Sequence, residues 1–337
     1  MKICQVLAGN EDGGLEKHTI ELSKQLVNRG FDVTVIAHKD FESFFGNINF
    51  IPLDLSKSRN NFFILFKLFK ILKKGNFDII HTQANKATSM VTKIKSFISA
   101  KIVSTLHSYK KNLSPFEKSD FVITVSNKVA EKIKNKNIKT IYNGIEFYNV
   151  DNSEILQKYK IPQNKFLICS VGRLCDVKRF DLLIKSIKDL DVFCVLIGDG
   201  ENKDSLINLA KKEEVEEKIL FTGNIDNQEV RKILQKVDLS IISSDREGFS
   251  YFFAESLVYS TPIISTNVAD IKDIIGNNYI VPFNNYNKLN EKINYVKNNY
   301  DEVLKDFQEK FEYAQNKFTI ENMINETIEV YKKVLNG

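Results

Sequence analysis

Strand-like runs and helical segments alternate twice along this chain of 337 residues, and the alternation breaks once near the middle. Short apolar runs bounded by turn residues read as buried strands. They occur at "KICQVLA" (2–8), "DVTVIA" (32–37), "FDIIHT" (77–82), "KIVSTLH" (101–107), "FVITVS" (121–126) and "KTIYNG" (139–144). Between them lie a helix with Leu15, Leu22 and Leu26 on one face, the segment "NFFILFKLFKILKK" (61–74) and a helix near 127–135. Strands separated by helices imply parallel sheets covered on both faces.

The stretch "VDNSEILQKYKIPQNK" (150–165) is polar and interrupted by proline, as a domain junction would be. Strand-like runs then restart at "FLICSVG" (166–172), "VFCVLIG" (192–198), "ILFTG" (219–223), "LSIIS" (239–243), "PIIST" (262–266) and "YIVPF" (279–283). After about 285 only helices are expected. A chain this long exceeds one ordinary core. The expectation is α/β: two facing Rossmann-like domains, 1–150 and 151–318, followed by a terminal helix, 319–337. Such sheets bind ligands at the carboxyl ends of their strands, which points to the cleft between the domains.

Composition narrows the class. Hydrophobic content of 43% and charged content of 27% fit a soluble globular protein. Cys4, Cys169, Cys175 and Cys194 form no CxxC pair and read as small hydrophobes in a reducing compartment. His18, His38, His81 and His107 have no metal-ligand spacing, so no metal and no cofactor are expected. The start "MKICQVLAGNEDGG" is not read as a signal peptide, and no apolar stretch approaches the roughly 18–20 residues of a membrane span. A cytoplasmic location is expected.

Charge divides unevenly. Residues 1–150 carry 23 Lys and Arg against 13 Asp and Glu, and the remainder carries 25 against 30. The basic half should attract anions. No nucleic-acid recognition signature accompanies it, so an anionic membrane surface or a phosphorylated acceptor fits better. In helix 61–74, Phe, Ile and Leu are interspersed with Lys67, Lys70, Lys73 and Lys74. That pattern suits a core helix with snorkelling lysines and equally a helix lying on the inner face of a membrane.

The stretch "SSDREGFSYFFAESLVYSTPIIST", Ser243 to Thr266, places Glu247 and Glu255 on either side of a helix start. Ser250 is a suitable N-cap for a helix from about Tyr251 to Tyr259. The Gly248-Phe249-Ser250 turn would then aim backbone N–H groups and the positive helix end at an anion. Arg173, after "FLICSVG", and Lys178 would make a two-cation clamp, Arg gripping phosphate bidentately and Lys acting as a point charge. Glu247 and Glu255 could accept hydrogen bonds from hydroxyls on each side. A diphosphate flanked by two polyols describes a nucleotide sugar. Taken singly, the glutamate pair and the Arg173 and Lys178 cations are better explained as solvated surface groups.

Taken together they resemble the GT-B-fold glycosyltransferases of the large retaining family 4. The shared pattern runs in order through Gly13-Gly14, Gly172-Arg173-Leu174…Lys178, Gly198-Asp199-Gly200, Glu247-Gly248-Phe249…Glu255 and Thr261-Pro262, with "YNGI" (142–145) before the junction. Ala269-Asp270-Ile271-Lys272-Asp273 stands where the family usually has Gly-Gly-x-x-Glu, and "GNNYIVP" replaces its Gly-rich turn. The resemblance implies that Arg173 and Lys178 hold the donor diphosphate, Glu255 the ribose and Glu247 the transferred sugar. It also implies that the Phe249 and Ser250 amides face phosphate and sugar, that Gly14 permits close approach, and that His107 lies near the reaction centre. It further implies metal independence, a final helix crossing back to the N-terminal domain, and a glycan or lipid-linked glycan acceptor in bacterial surface polysaccharide, lipopolysaccharide or glycoprotein synthesis. Uridine is the commonest base in the family, so UDP is the expected nucleotide. Two alternatives remain at this point: a non-catalytic nucleotide-sugar-binding partner of another transferase, or a GT-B-like epimerase. A dinucleotide-dependent dehydrogenase is disfavoured because no GxGxxG follows either first strand.

Overall fold

The computed structural model describes residues 1–9, 13–147 and 151–337. The chain divides into two compact units, Met1–Gly144 with Ile320–Gly337, and Ile145–Thr319. The expected boundary at 150 falls on residues outside those described.

The first unit contains a sheet of β1 (Lys2–Leu7), β2 (Asp32–Ala37), β3 (Asn49–Pro52), β4 (Ile79–Gln83), β5 (Lys101–Leu106), β6 (Phe121–Thr124) and β7 (Ile138–Thr140). Its strand order is β3-β2-β1-β4-β5-β6-β7, and every pairing is parallel. The second contains β8 (Phe166–Val171), β9 (Val192–Ile197), β10 (Ile219–Gly223), β11 (Leu239–Ile242), β12 (Ile263–Thr266) and β13 (Ile280–Val281). Its order, β10-β9-β8-β11-β12-β13, is again wholly parallel. Both are Rossmann-like: the order reverses beside the first strand, between β1 and β4 and between β8 and β11.

The central strands are apolar because helices bury both of their faces. Ile3, Cys4, Val6 and Leu7 of β1 are wholly buried, as are Ile168 and Cys169 of β8. The terminal helix, Ile320–Asn336, belongs to the first unit. It buries Ile320, Met323, Ile324, Val330, Tyr331 and Val334 in one cluster with Ile3, Leu22, Val103 and Ile123.

β3 and the helix Ala84–Lys93 are among the elements that go beyond the sequence reading. β3 is a four-residue edge strand ending in Pro52, and it offers almost no periodicity to detect. The helix Ala84–Lys93 is largely polar and starts from Ala84 at φ 62. It still buries Ala87, Met90 and Val91, and its Thr88 hydroxyl bonds back to the Ala84 carbonyl at 2.7 Å. The expected helix at 61–74 forms as Phe62–Gly75. Asn61 caps its start, accepting from the Ile64 amide at 3.2 Å, and Asn76 closes its end at φ 46. Ile64, Leu68 and Leu72 pack it onto the sheet, while Phe62, Phe63 and Phe66 stay exposed.

The seam between β7 and the terminal helix leaves no room at Gly144, where a Cβ would lie 2.5 Å from the Ile320 Cα. Backbone cannot swing aside as a side chain can. Gly144→Ala should therefore destabilise the first unit by about 1–3 kcal/mol, read as a lower urea midpoint. An unchanged midpoint would show that the seam relaxes freely.

Candidate functional site

In the second unit the sequence-predicted residues converge at the sheet's switch point. Gly172 and Arg173 follow β8, and the segment from Ser243 to Ser250 follows its neighbour β11. Backbone contacts hold the β8 loop in place. The Leu174 amide donates to the Asp199 carbonyl at 2.9 Å, and the Asn202 amide to the Leu174 carbonyl at 2.9 Å. Gly198 makes this approach possible, because at φ +132 a Cβ there would lie 2.1 Å from the Gly172 carbonyl oxygen. Thus the Gly-Asp-Gly turn sets the path of the Gly-Arg-Leu loop.

The two loops flanking the switch point are tied to each other. The Ser243 hydroxyl donates to the Lys178 carbonyl at 2.8 Å, and the Asp245 amide to the Val177 carbonyl at 2.9 Å. The Lys178 ammonium then meets the Glu247 carboxylate at 2.6 Å, and the Ser244 hydroxyl donates to the same oxygen at 2.8 Å. Lys178 also runs over Gly172, its Cε 3.0 Å from where a Cβ would stand. The expected cation and the expected hydroxyl acceptor are therefore one hydrogen-bonded pair, set between adjacent strands.

Ser250 caps the helix Tyr251–Val258, its hydroxyl accepting from the Phe253 amide at 3.2 Å. The Phe249 ring is held edge-on against Tyr251 at 5.6 Å and Phe318 at 5.9 Å, which fixes the turn containing Gly248. Glu255 is buried on this helix, whose Ser256 hydroxyl bonds to Ser240 of β11 at 2.8 Å. Ala269 occupies the left-handed region at φ 45, so the backbone keeps a glycine-like conformation where the sequence departs from the family pattern. Arg173, which follows Gly172 in the loop after β8, is exposed.

Gly14 and His107 belong to the first unit. Gly14 opens the helix Gly14–Asn28 at the loop after β1. His107 follows β5 and contacts Gln83, the last residue of β4, its Nε2 2.8 Å from the Gln83 Oε1. A buried polar chain continues from there. Gln83 donates to the Gln5 Oε1 at 2.9 Å, and Gln5 donates to the Tyr331 hydroxyl at 3.3 Å. That hydroxyl meets His81 Nδ1 at 2.6 Å, and His81 Nε2 meets the Thr105 hydroxyl at 2.7 Å. The amide directions make a consistent series in which His107 donates through Nε2. His107 Nδ1 then remains an acceptor, and it has no hydrogen-bond partner among the described residues. The His18 ring packs edge-on to His107 at 4.9 Å between centroids.

Burial keeps these imidazoles neutral. It lowers His18 to about 4, opposed in part by Asn143, and lowers His81 to about 3 with help from the charge on His18. His107 lies well below its ordinary value, first from burial and then from the charges on His18 and His81. His18 could have been found in the sequence, since it shares a helical face with Leu15 and Leu22. Gln5, Gln83 and Tyr331 could not, because they lie far apart in the sequence and only the fold brings them together. Among the described residues no group of three His, Cys, Asp or Glu is placed to hold a metal ion.

Residues 151–317 match the family of glycosyl transferases group 1, and residues 12–147 match Glycosyltransferase Family 4. The chain is 26% identical over 298 residues to N-acetyl-alpha-D-glucosaminyl L-malate synthase of Bacillus anthracis, covering 76% of each chain. It is also 26% identical over 286 residues to a lipopolysaccharide core biosynthesis glycosyltransferase of Rhizobium meliloti (strain 1021), covering 79% of each. The crystal structure of Anabaena HepE in complex with UDP-glucose shares the fold, with a TM-score of 0.84 at 16% identity over 99% of this chain and 100% of that one.

The neutral histidines make stability depend on pH with a definite sign. The unfolded chain takes up protons near 6.5, whereas the folded chain takes them up only near 4 at His18 and near 3 at His81. Below 6.5 the unfolded state binds more protons, so stability is complete above that pH and falls as pH drops. The slope should be about 1.4 kcal/mol per pH unit for each buried histidine. Urea midpoints between pH 7 and pH 5 should show this decline, and His81→Gln should flatten it. The same slope in that variant would contradict the assignment.

Proposed function

Because the chain belongs to the glycosyltransferases, joining a family 4 domain to a group 1 domain, we propose that it is a retaining enzyme transferring a hexose from a nucleotide diphosphate sugar to a glycan or lipid-linked glycan acceptor. The observation that carries this reading is the Lys178–Glu247 pair at the switch point of the second sheet, beside Arg173 and the Ser250-capped helix start. It sets cations, a helix N-terminus and a hydroxyl-accepting carboxylate within one group of loops. UDP is the proposed nucleotide, a choice supported by the UDP-glucose bound to HepE. The surface-glycan acceptor is supported by the lipopolysaccharide relative. The proposed setting is the cytoplasmic side of an anionic membrane, with peripheral contact.

In this mechanism the donor diphosphate displaces Glu247 from Lys178 and takes its place, with Arg173 gripping a second oxygen. Glu247, released, accepts from the hydroxyls of the sugar, and Glu255 accepts from the ribose. As the glycosidic bond breaks, negative charge grows on the leaving diphosphate. Arg173, Lys178 and the amides of Phe249 and Ser250 stabilise it, so the catalysis is largely electrostatic and proceeds without a metal. Gly14 gives backbone access to the same groups. Neutral His107 accepts a sugar hydroxyl hydrogen bond at Nδ1, held in orientation by Gln83. The acceptor hydroxyl attacks from the face the nucleotide leaves, and a donor phosphate oxygen takes its proton.

Arg173→Ala and Lys178→Ala should each weaken UDP binding about tenfold or more, since a charge-assisted bond contributes about 1.5–3 kcal/mol. Calorimetric titration in EDTA measures this, and wild-type affinity should survive the chelator. Unchanged affinity in both variants would remove them from the donor site. A second reading, a non-catalytic binding partner, would be favoured if UDP-sugars bound tightly while no acceptor released UDP.

A further inference from the structure

The helix Phe62–Gly75 has more apolar surface than its own unit covers. Ile64, Leu68 and Leu72 face the sheet. On the other side Phe62 is 72% exposed, Phe63 77% and Phe66 45%, and Phe97 on the adjoining turn is 65% exposed. These rings are continuous. Phe62 stacks on Phe66 at 6.1 Å, Phe66 meets Phe69 at 6.4 Å, and Phe69 meets Phe97 at 6.1 Å. A connected set of exposed aromatic rings on one face marks an interaction surface, unlike scattered single residues.

Charge identifies the occupant. From Leu55 to Phe116 the chain carries twelve Lys and Arg and one acidic residue, Asp78. Asp78 is itself occupied, accepting from the Lys2 amide at 2.7 Å. The cations border the rings directly: the Lys70 ammonium sits 4.5 Å from the centre of the Phe66 ring, and that of Lys73 sits 5.4 Å from the Phe69 ring. A second copy of this face would bring like charges together, so self-pairing is disfavoured. An anionic lipid surface satisfies both halves of the pattern. The rings enter the interface between headgroups and acyl chains, while Lys67, Lys70, Lys73 and Lys74 reach the phosphates.

We propose that the face formed by Phe62, Phe63, Phe66 and Phe97, with its rim of lysines, docks on an anionic lipid membrane. This rests on the peripheral contact named above and assigns it to specific residues. The residues lie outside the donor machinery, so the two claims can fail separately.

The test is co-sedimentation of the full chain with vesicles of phosphatidylglycerol and phosphatidylcholine, or of phosphatidylcholine alone, at about 0.1 M salt. Wild type should pellet with the anionic vesicles and stay in solution with the neutral ones. The triple variant Phe62→Ser, Phe63→Ser, Phe66→Ser should partition about tenfold less, as should the quadruple variant Lys67→Gln, Lys70→Gln, Lys73→Gln, Lys74→Gln. Both should retain the wild-type melting temperature and UDP affinity, because the altered side chains are exposed. Equal pelleting of the serine variant, or no pelleting of the wild type, would overturn the proposal. So would a wild-type dimer in sedimentation equilibrium that the serine variant dissolves, which would assign the face to a second copy.

Discussion

Parallel pairing is the constraint on which the rest of this protein depends. In a wholly parallel sheet every strand ends at the same edge, so all the loops that follow strands gather there. Each sheet also reverses its order beside its first strand, and that reversal opens a gap between two neighbouring strand ends. In the second unit the neighbours are β8 and β11, and their loops supply Lys178 and Glu247. In the first unit they are β1 and β4, whose last residues Leu7 and Gln83 are in register, and Gln83 reaches back to Gln5. The chemistry of both units follows from where the strands stop.

Glycine turns that general location into a specific shape. Gly198 lets one backbone lie against another, and the resulting contact between Leu174 and Asp199 fixes the loop that carries Arg173. In the first unit the His107 ring is oriented by a buried amide chain and kept neutral by desolvation. Orientation and protonation state thus have one cause, a polar series closed within an apolar core.

Much of the fold was legible because the central strands are buried on both faces and read as unbroken apolar runs. β3 was not, being four residues long at a sheet edge, nor was Ala84–Lys93, whose helix is held by packing and by Thr88 more than by periodic apolar residues. The helix cap at Ser250 was local and so was readable, and its hydrogen bond forms as its position implies. The ion pair was not readable: Lys178 and Glu247 are 69 residues apart, and only the adjacency of β8 and β11 brings them together. For the same reason the terminal helix could contribute Tyr331 to a chain ending at His107 without any signal near either residue.

We propose that the loops at the second switch point hold a nucleotide diphosphate sugar. The most direct test is a thermal-shift titration of the wild-type protein with UDP, GDP and ADP and their common sugar conjugates. A ligand at 100 times its dissociation constant should add about 2.7 kcal/mol of stability. A saturable rise in melting temperature is expected with one base series, UDP, and with its sugar conjugates. No rise with any series would contradict it.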